Sequence, residues 1–318
     1  MIVTFDRRDL PPVPDGGAVV SVGVFDGVHL GHQAILRENL SASKTLAARS
    51  TIVTFRNHPK GVLLGRAPRT LTSLDHRLEL FRRAGIEHTV ALDFDSELRS
   101  VLAREFATRF LAEELGARKF VLGFDSKFGH DREGTPEFLR ALGMDVTVVP
   151  EVVLQGRPVS STAIREAVEL GDLTGAARML GRPVAVYGHV VPGDALGREL
   201  GFPTANLDLH HELRPPVGVY ACRVRRHGRM VPAISTEVYP AVANIGTRPT
   251  VTDHAAAVPR VEVHLLDFEG DLYGDVLEVE FVAFMREEQR FPSLAALKDQ
   301  IARDVLRARA HLAKVGTS

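Results

Sequence analysis

Three things are scarce in this sequence: cysteine, net charge and long apolar runs. Each scarcity closes off a class of protein. The single cysteine, Cys222, excludes an intrachain disulfide framework and suits a reducing cytoplasm. Alone, Cys222 reads as a small apolar residue within a strand. Lys and Arg total 39 against 40 Asp and Glu, a net charge of −1. That balance gives no general attraction to nucleic acid or to an anionic membrane, and leaves only local basic sites. No apolar stretch approaches the roughly 20 residues that span a bilayer. The opening segment, MIVTFDRRDLPPVPDGG, lacks the apolar centre of an export signal. The expectation is a cytoplasmic protein with neither nucleic-acid nor membrane partners, monomeric or weakly homo-oligomeric. What is present is ordinary globular material, 45% hydrophobic and 25% charged over 318 residues. This excludes disordered, collagen-like and coiled-coil chains, and at about 150 residues per domain it suggests two domains.

The first half alternates between two periodicities. AVVSVGV (18–24) reads as a strand, FDGVHLGH as a glycine-bearing turn, and QAILRENL as the helix that follows. Further strands are expected at 51–55, 88–92, 119–124 and 145–150, with helices at 74–85, 100–116 and 135–143. Strands separated by helices imply βαβ units and a parallel sheet buried on both faces. After Gly181-Arg182-Pro183 the rhythm changes to short β-rich runs at 184–191, 219–226, 230–234, 241–246, 260–268 and 276–284. RVEVHLL and VLEVEFV alternate apolar with polar residues, as half-buried antiparallel strands do. One long helix is expected at 293–313, closing a small barrel. The boundary falls near 182, giving domains 1–182 and 183–318.

Two motifs open helices after the first and last strands of the first half, where ligands of open α/β sheets collect. In the first, Gly23, Phe25, Asp26 and Gly27 lead into His29 and His32, which lie three residues apart on one side of a first helical turn. Free N–H groups and the positive end of the helix dipole make such a turn an anion site. Two imidazoles there can donate hydrogen bonds to phosphate and stabilise charge in an in-line displacement. The second motif is SSTAIR. Ser160, Ser161 and Thr162 offer hydroxyls, and Arg165 offers a guanidinium fork for phosphate. Taken alone, it reads more readily as a helix cap followed by a solvated arginine; together with HLGH the phosphate reading prevails. The chain has no G-x-x-x-x-G-K-[ST], so a Walker-type NTPase is unsupported.

GVFDGVHLGH with SSTAIR resembles the HxGH nucleotidylyltransferase superfamily, and TFRNHP (54–59) between them resembles its FAD synthetase branch. The resemblance implies a Rossmann-like α/β domain. It implies His29 and His32 at the transferring α-phosphate, and Ser161, Thr162 and Arg165 at the ATP triphosphate. His58 would then help to form the nucleotide and flavin site. VLGFDSKFG (121–129) keeps the family's Gly123, Asp125, Phe128 and Gly129 at the flavin-side loop. Phe124 and Ser126 replace the usual Glu and Phe. Loss of an aromatic there removes a stacking or packing partner for an isoalloxazine ring, a change of about 1 kcal/mol.

The second half opens with GHVVPGDALGRELGFPTANL (188–207), in which Gly193 and Gly197 can let backbone approach a phosphate. Thr204 and Asn206 offer the oxygen ligands that a hard Mg2+ ion takes beside phosphate oxygens. PTAN alone is also a polar turn entering a strand, and Glu262 by alternation alone is a polar strand residue. GVYAC, NIGTRPT, VEVHLLDF, DLYG and MREEQRF follow in order, and together these segments resemble the riboflavin kinase family across most of 184–305. This resemblance implies a six-stranded antiparallel barrel with a C-terminal helix. Thr204 and Asn206 would sit at the MgATP site and Glu262 would be general base on the ribityl 5′-hydroxyl. Arg286 would border the flavin or form an exposed ion pair.

The two halves in this order resemble the bacterial bifunctional riboflavin kinase/FMN adenylyltransferases. The implied ligands are riboflavin, FMN, FAD and ATP, with Mg2+ at both steps. Two other readings stay open here: a chain with only the kinase half active, or acting on a flavin analogue, and a non-catalytic flavin-binding regulator.

Overall fold

Apolar runs bounded by Gly and Pro fill the first half, and they fold as buried strands of a parallel sheet. The structure, a computed structural model, describes residues 1–193, 196–209, 212–228, 237–246 and 260–315. They form two compact units, Met1–Ser161 and Thr162–Ser318.

In the first unit the strands are β1 (Ile2–Thr4), β2 (Ala18–Val22), β3 (Arg49–Phe55), β4 (His88–Leu92), β5 (Ala117–Gly123) and β6 (Val146–Val149). They run parallel in the order β1-β4-β3-β2-β5-β6. All five residues of β2 and of β4 are buried, as a sheet covered on both faces requires. The chain winds outward from β2 through β3 and β4, then returns to place β5 on the other side. The carboxyl end of β2 therefore lies at a topological switch point. Helices α1 (Leu30–Leu46), α2 (Pro59–Leu64), α3 (Leu74–Ala84), α4 (Ser96–Ser100), α5 (Ala103–Glu105) and α6 (Pro136–Ala141) connect the strands. The cues legible in sequence act as caps: Ser73 accepts from His76 N–H, Thr135 accepts from Phe138 N–H, and Gly85 ends α3 at φ 92°.

Several features depart from the sequence reading. β1 and α2 were not expected. The helix expected over 100–116 breaks at Val101, whose carbonyl accepts from His130 N–H at 2.8 Å instead of a helical donor. It resumes as α5 and continues as a π-helix, Phe106–Glu114, in which Leu115 N–H reaches back five residues to the Phe110 carbonyl. A small hairpin, β7 (Val153–Leu154) with β8 (Arg157–Pro158), turns on Gln155 and Gly156, both at positive φ.

The second unit begins with α7 (Ser161–Glu169), which starts at the division, and α8 (Leu173–Leu180). Then come β9 (Val184–Val191), a short α9 (Leu196–Glu199), β10 (Ala205–Asp208), β11 (Gly218–Gly228), β12 (Val238–Gly246), β13 (Arg260–Leu265), β14 (Val276–Arg286) and α10 (Leu294–Val315). The six strands close antiparallel in the order β10-β13-β12-β11-β14-β9, with β9 pairing back to β10. Ala308 and Leu312 of α10 pack on Val219, Ala221, Val242 and Met285 of the barrel wall. Cys222 is fully buried in β11, and burial pushes its thiol pKa up, so it is the small apolar strand residue expected. The strand expected at 230–234 lies outside the described residues, as does NIGTRPT beyond Gly246.

Candidate functional site

The turn from β2 into α1 is strained. Phe25 and Val28 hold positive φ of 53° and 40°, and Gly27 holds 81°. Such backbone costs about 1–3 kcal/mol per non-glycine residue and persists where the surroundings over-determine it. Here Asp26, 3% exposed, accepts through Oδ1 from Leu71 N–H at 2.9 Å and Thr72 N–H at 3.1 Å. Gly27 N–H donates to Thr72 Oγ1 at 3.0 Å, and Gly23 N–H donates to the Val53 carbonyl at 3.0 Å. Ser161 Oγ donates to the Asp26 carbonyl at 2.9 Å. Arg77, also buried, donates to the Val24 carbonyl, to Thr54 Oγ1 at 3.2 Å and to the Phe55 carbonyl at 2.8 Å.

This scaffold presents His29 and His32. His29 caps α1, its Nδ1 accepting from His32 N–H at 3.4 Å, and the two rings stack with centroids 3.6 Å apart. Gly31 between them makes room, since a Cβ there would stand 3.2 Å from the His29 ring. Phe25 sets its edge against His32 at 5.2 Å and against Phe81 at 5.6 Å. The two histidines singled out in sequence are therefore one paired group. Asp26 and Ser161, expected near nucleotide, are both engaged in holding the turn. Ser160 is half-buried beside them in sequence, and Thr162 and Arg165 follow on α7, three residues apart.

A cavity of about 490 Å³ begins at the same strand end, where Val22, Gly23 and Val24 line it. Phe55, Phe94, Phe106 and Phe128 supply aromatic wall, and Lys60, Arg99, Lys127 and Arg132 supply cations. His58 lines it too, capping α2 with Nδ1 accepting from Lys60 N–H at 3.2 Å. Of the loop residues named in sequence, Ser126, Phe128 and Gly129 line the cavity. Asp125 and Phe124 are exposed and do not. Phe94 and Phe106 carried no sequence signal, because only folding brings them together.

The barrel has its own cavity, about 330 Å³, at one mouth under α10. Gly197, Thr204, Asn206, Glu262 and Arg286 all line it, together with Asn244, His264, Glu288, Phe291 and Asp304. Strand register explains the convergence: Glu262 on β13 stands opposite Asn206 on β10 and Asn244 on β12. His264 Nδ1–H donates to the Pro203 carbonyl at 2.8 Å and so pins the turn that carries Thr204. A Cβ on Gly193 would fall 1.9 Å from Asn206 Nδ2, so glycine is required there for close approach. Arg286 is neither free nor exposed. It grips the buried Asp304 of α10 through Nε and Nη2, the latter at 2.7 Å, and Gln300 Nε2 donates to the same carboxylate at 2.9 Å. On the other side of Thr204 a smaller hollow of about 70 Å³ is lined by Arg198, Asp271 and Tyr273.

Thr204, Asn206 and Glu262 form an oxygen donor set beside a cavity. Mg2+ is typically held by one or two protein oxygens plus substrate phosphates, so the residues present fit that ion. Among the described residues no cluster of three His, Cys, Asp or Glu is placed to hold a metal unaided.

Comparison with known proteins follows the same division. A family model described as FAD synthetase matches residues 12–163, and one described as riboflavin kinase matches 180–312. A bifunctional riboflavin kinase/FMN adenylyltransferase of Pseudomonas fluorescens is 41% identical over 304 residues, covering 92% of this chain and 93% of the relative. Its counterpart in Escherichia coli K12 is 38% identical, covering 95% of each. The Bacillus subtilis counterpart is 32% identical, covering 90% of each. A crystal structure from Streptococcus pneumoniae, described as a macrolide-efflux protein, superposes with a TM-score of 0.79 at 31% identity, over 97% of this chain and 98% of its own.

Proposed function

The chain belongs to the bifunctional riboflavin kinase/FMN adenylyltransferases, and on that premise we propose how its two halves divide the chemistry. The enzyme phosphorylates riboflavin to FMN with ATP and adenylylates FMN to FAD. We assign the second step to residues 1–182 and the first to 183–318. The FAD synthetase match ends at 163 and the riboflavin kinase match begins at 180, so the change of family falls across α7 and α8, while the compact units divide after Ser161.

In the barrel, Glu262 takes the proton of the ribityl 5′-hydroxyl as that oxygen bonds to the γ-phosphorus and the bond to ADP breaks. Thr204 and Asn206 would hold Mg2+ beside the ATP phosphates, and Gly193 and Gly197 let backbone close on those phosphates. Bound Mg2+ neutralises triphosphate charge. Arg286 borders the flavin, fixed there by Asp304. The observation that carries the reading is the meeting of Thr204, Asn206 and Glu262 in one cavity.

In the α/β half a phosphate oxygen of FMN attacks the α-phosphorus of ATP and pyrophosphate leaves. His29 and His32 donate hydrogen bonds to the α-phosphate as charge builds. Ser160, Ser161, Thr162 and Arg165 hold the triphosphate, whose charge Mg2+ would neutralise when bound. The 490 Å³ cavity suits FMN: its phenylalanines and His58 fit a flat aromatic ring, and its cations fit a phosphate. We place the enzyme in the cytoplasm, as a monomer or weak homo-oligomer. Among the described residues no helix is long and apolar enough to cross a membrane.

Incubation with riboflavin, ATP and Mg2+, followed by chromatography of the flavins, tests the reading. FMN should appear first and FAD after it. Absence of both overturns it.

A further inference from the structure

Thr72 belongs to none of the motifs, yet it is 1% exposed and touches the strained turn at two points. Its hydroxyl accepts from Gly27 N–H at 3.0 Å and lies 3.4 Å from Asp26 Oδ1, to which it can donate its own proton. Its amide donates to the same carboxylate at 3.1 Å, alongside that of Leu71. The next residue, Ser73, caps α3, and Arg77 one turn later holds the Val24 carbonyl. The start of α3 thus grips the turn at Val24 and again at Asp26–Gly27. His29 follows two residues after Gly27. Any relaxation of the Gly27 peptide moves the stacked imidazoles that follow it.

We propose that Thr72 is a positioning residue for adenylyl transfer, fixing the Asp26–Gly27 peptide in the left-handed turn that presents His29 and His32. Its hydroxyl does so by accepting and donating at once, a pairing that an isosteric methyl cannot supply. A buried N–H that loses its acceptor drives the turn to rearrange. The proposal rests on assigning this turn to the adenylyl step.

The full-length enzyme carries its own control, because riboflavin phosphorylation occurs in the other half. Thr72→Val should lower kcat for FAD formation from supplied FMN by about 100-fold, the scale of a misplacement of roughly 1 Å. KM for FMN and the rate of riboflavin phosphorylation should stay unchanged. Thr72→Ser, which keeps the hydroxyl, should restore kcat. Wild-type kcat in Thr72→Val overturns the proposal. So does a Thr72→Ser variant that fails as Thr72→Val does, since the hydroxyl is then not what matters. A His29→Ala, His32→Ala variant run beside them separates the two layers. If it still makes FAD, the assignment of the turn to adenylyl transfer falls, and the role of Thr72 falls with it.

Discussion

Asn206 and Glu262 stand directly opposite each other on β10 and β13, and Asn244 on β12 flanks Glu262 from the other side. A carboxylate between two carboxamides has donors to orient it while it remains able to accept a proton.

Glu262→Gln keeps the shape and removes the basicity. Riboflavin phosphorylation should fall by about 100-fold or more, the usual scale of general-base catalysis. Conversion of supplied FMN to FAD should continue at the wild-type rate. Flavin chromatography with each substrate in turn checks this. Equal loss of both steps would refute the division between the halves.

Gly193→Ala inserts a Cβ where Asn206 Nδ2 lies 1.9 Å away, so Asn206 must move. The expected result is a rise of about tenfold in KM for ATP in the kinase step, equivalent to ~1.4 kcal/mol. FAD formation should be untouched. Initial-rate kinetics against ATP for each step make the measurement.

Arg286 and Asp304 tie α10 to the barrel wall at the mouth of the cavity. Asp304→Ala leaves a largely buried guanidinium without its partner, at a cost of about 3 kcal/mol or more. Urea denaturation should show an earlier transition. An Arg286→Met, Asp304→Leu pair should recover much of that stability while leaving riboflavin phosphorylation impaired. Recovery of both would show that Arg286 serves the fold alone.

His88 links stability to pH. Burial, with the charge of Arg49 nearby, holds its pKa at about 4, against 6.5 when unfolded. Its Nε2 lies 3.0 Å from Thr4 Oγ1. The folded state keeps His88 neutral where the unfolded state takes a proton. The resulting stability is complete above pH 6.5 and is lost as pH falls towards 4. The loss amounts to about 3 kcal/mol. Thermal melts of wild type and His88→Gln between those limits should show a steeper acid decline in wild type. Parallel declines would contradict the assignment.

How much of this was legible in the chain depends on sequence distance. β2, the HLGH turn and α1 form one continuous segment, so strand period, turn and helix cap are all visible locally. Alternation in RVEVHLL and VLEVEFV likewise marked β13 and β14, and Thr204, Asn206 and Glu262 stood out through family resemblance. The Thr72 contact with Gly27 spans 45 residues and has no periodic signature. Asp304 sits on the buried stripe of a helix that otherwise reads as amphipathic, and only the closed barrel brings it to Arg286. β1 is three residues long, too short to show a period. The π-helix has no signature of its own in sequence, because its residues also suit an α-helix; the difference lies in where its carbonyls find donors.

Closure of the barrel has a consequence for how the protein behaves in a crowded solution. Among the described residues the six barrel strands pair in a closed ring, so none of them is a sheet edge open to strand addition. In the parallel sheet the free edges belong to β1 and β6, three and four residues long. Edges so short are poor templates for strand addition, so a sheet-rich enzyme of this design resists edge-to-edge aggregation without charged guards along its strands.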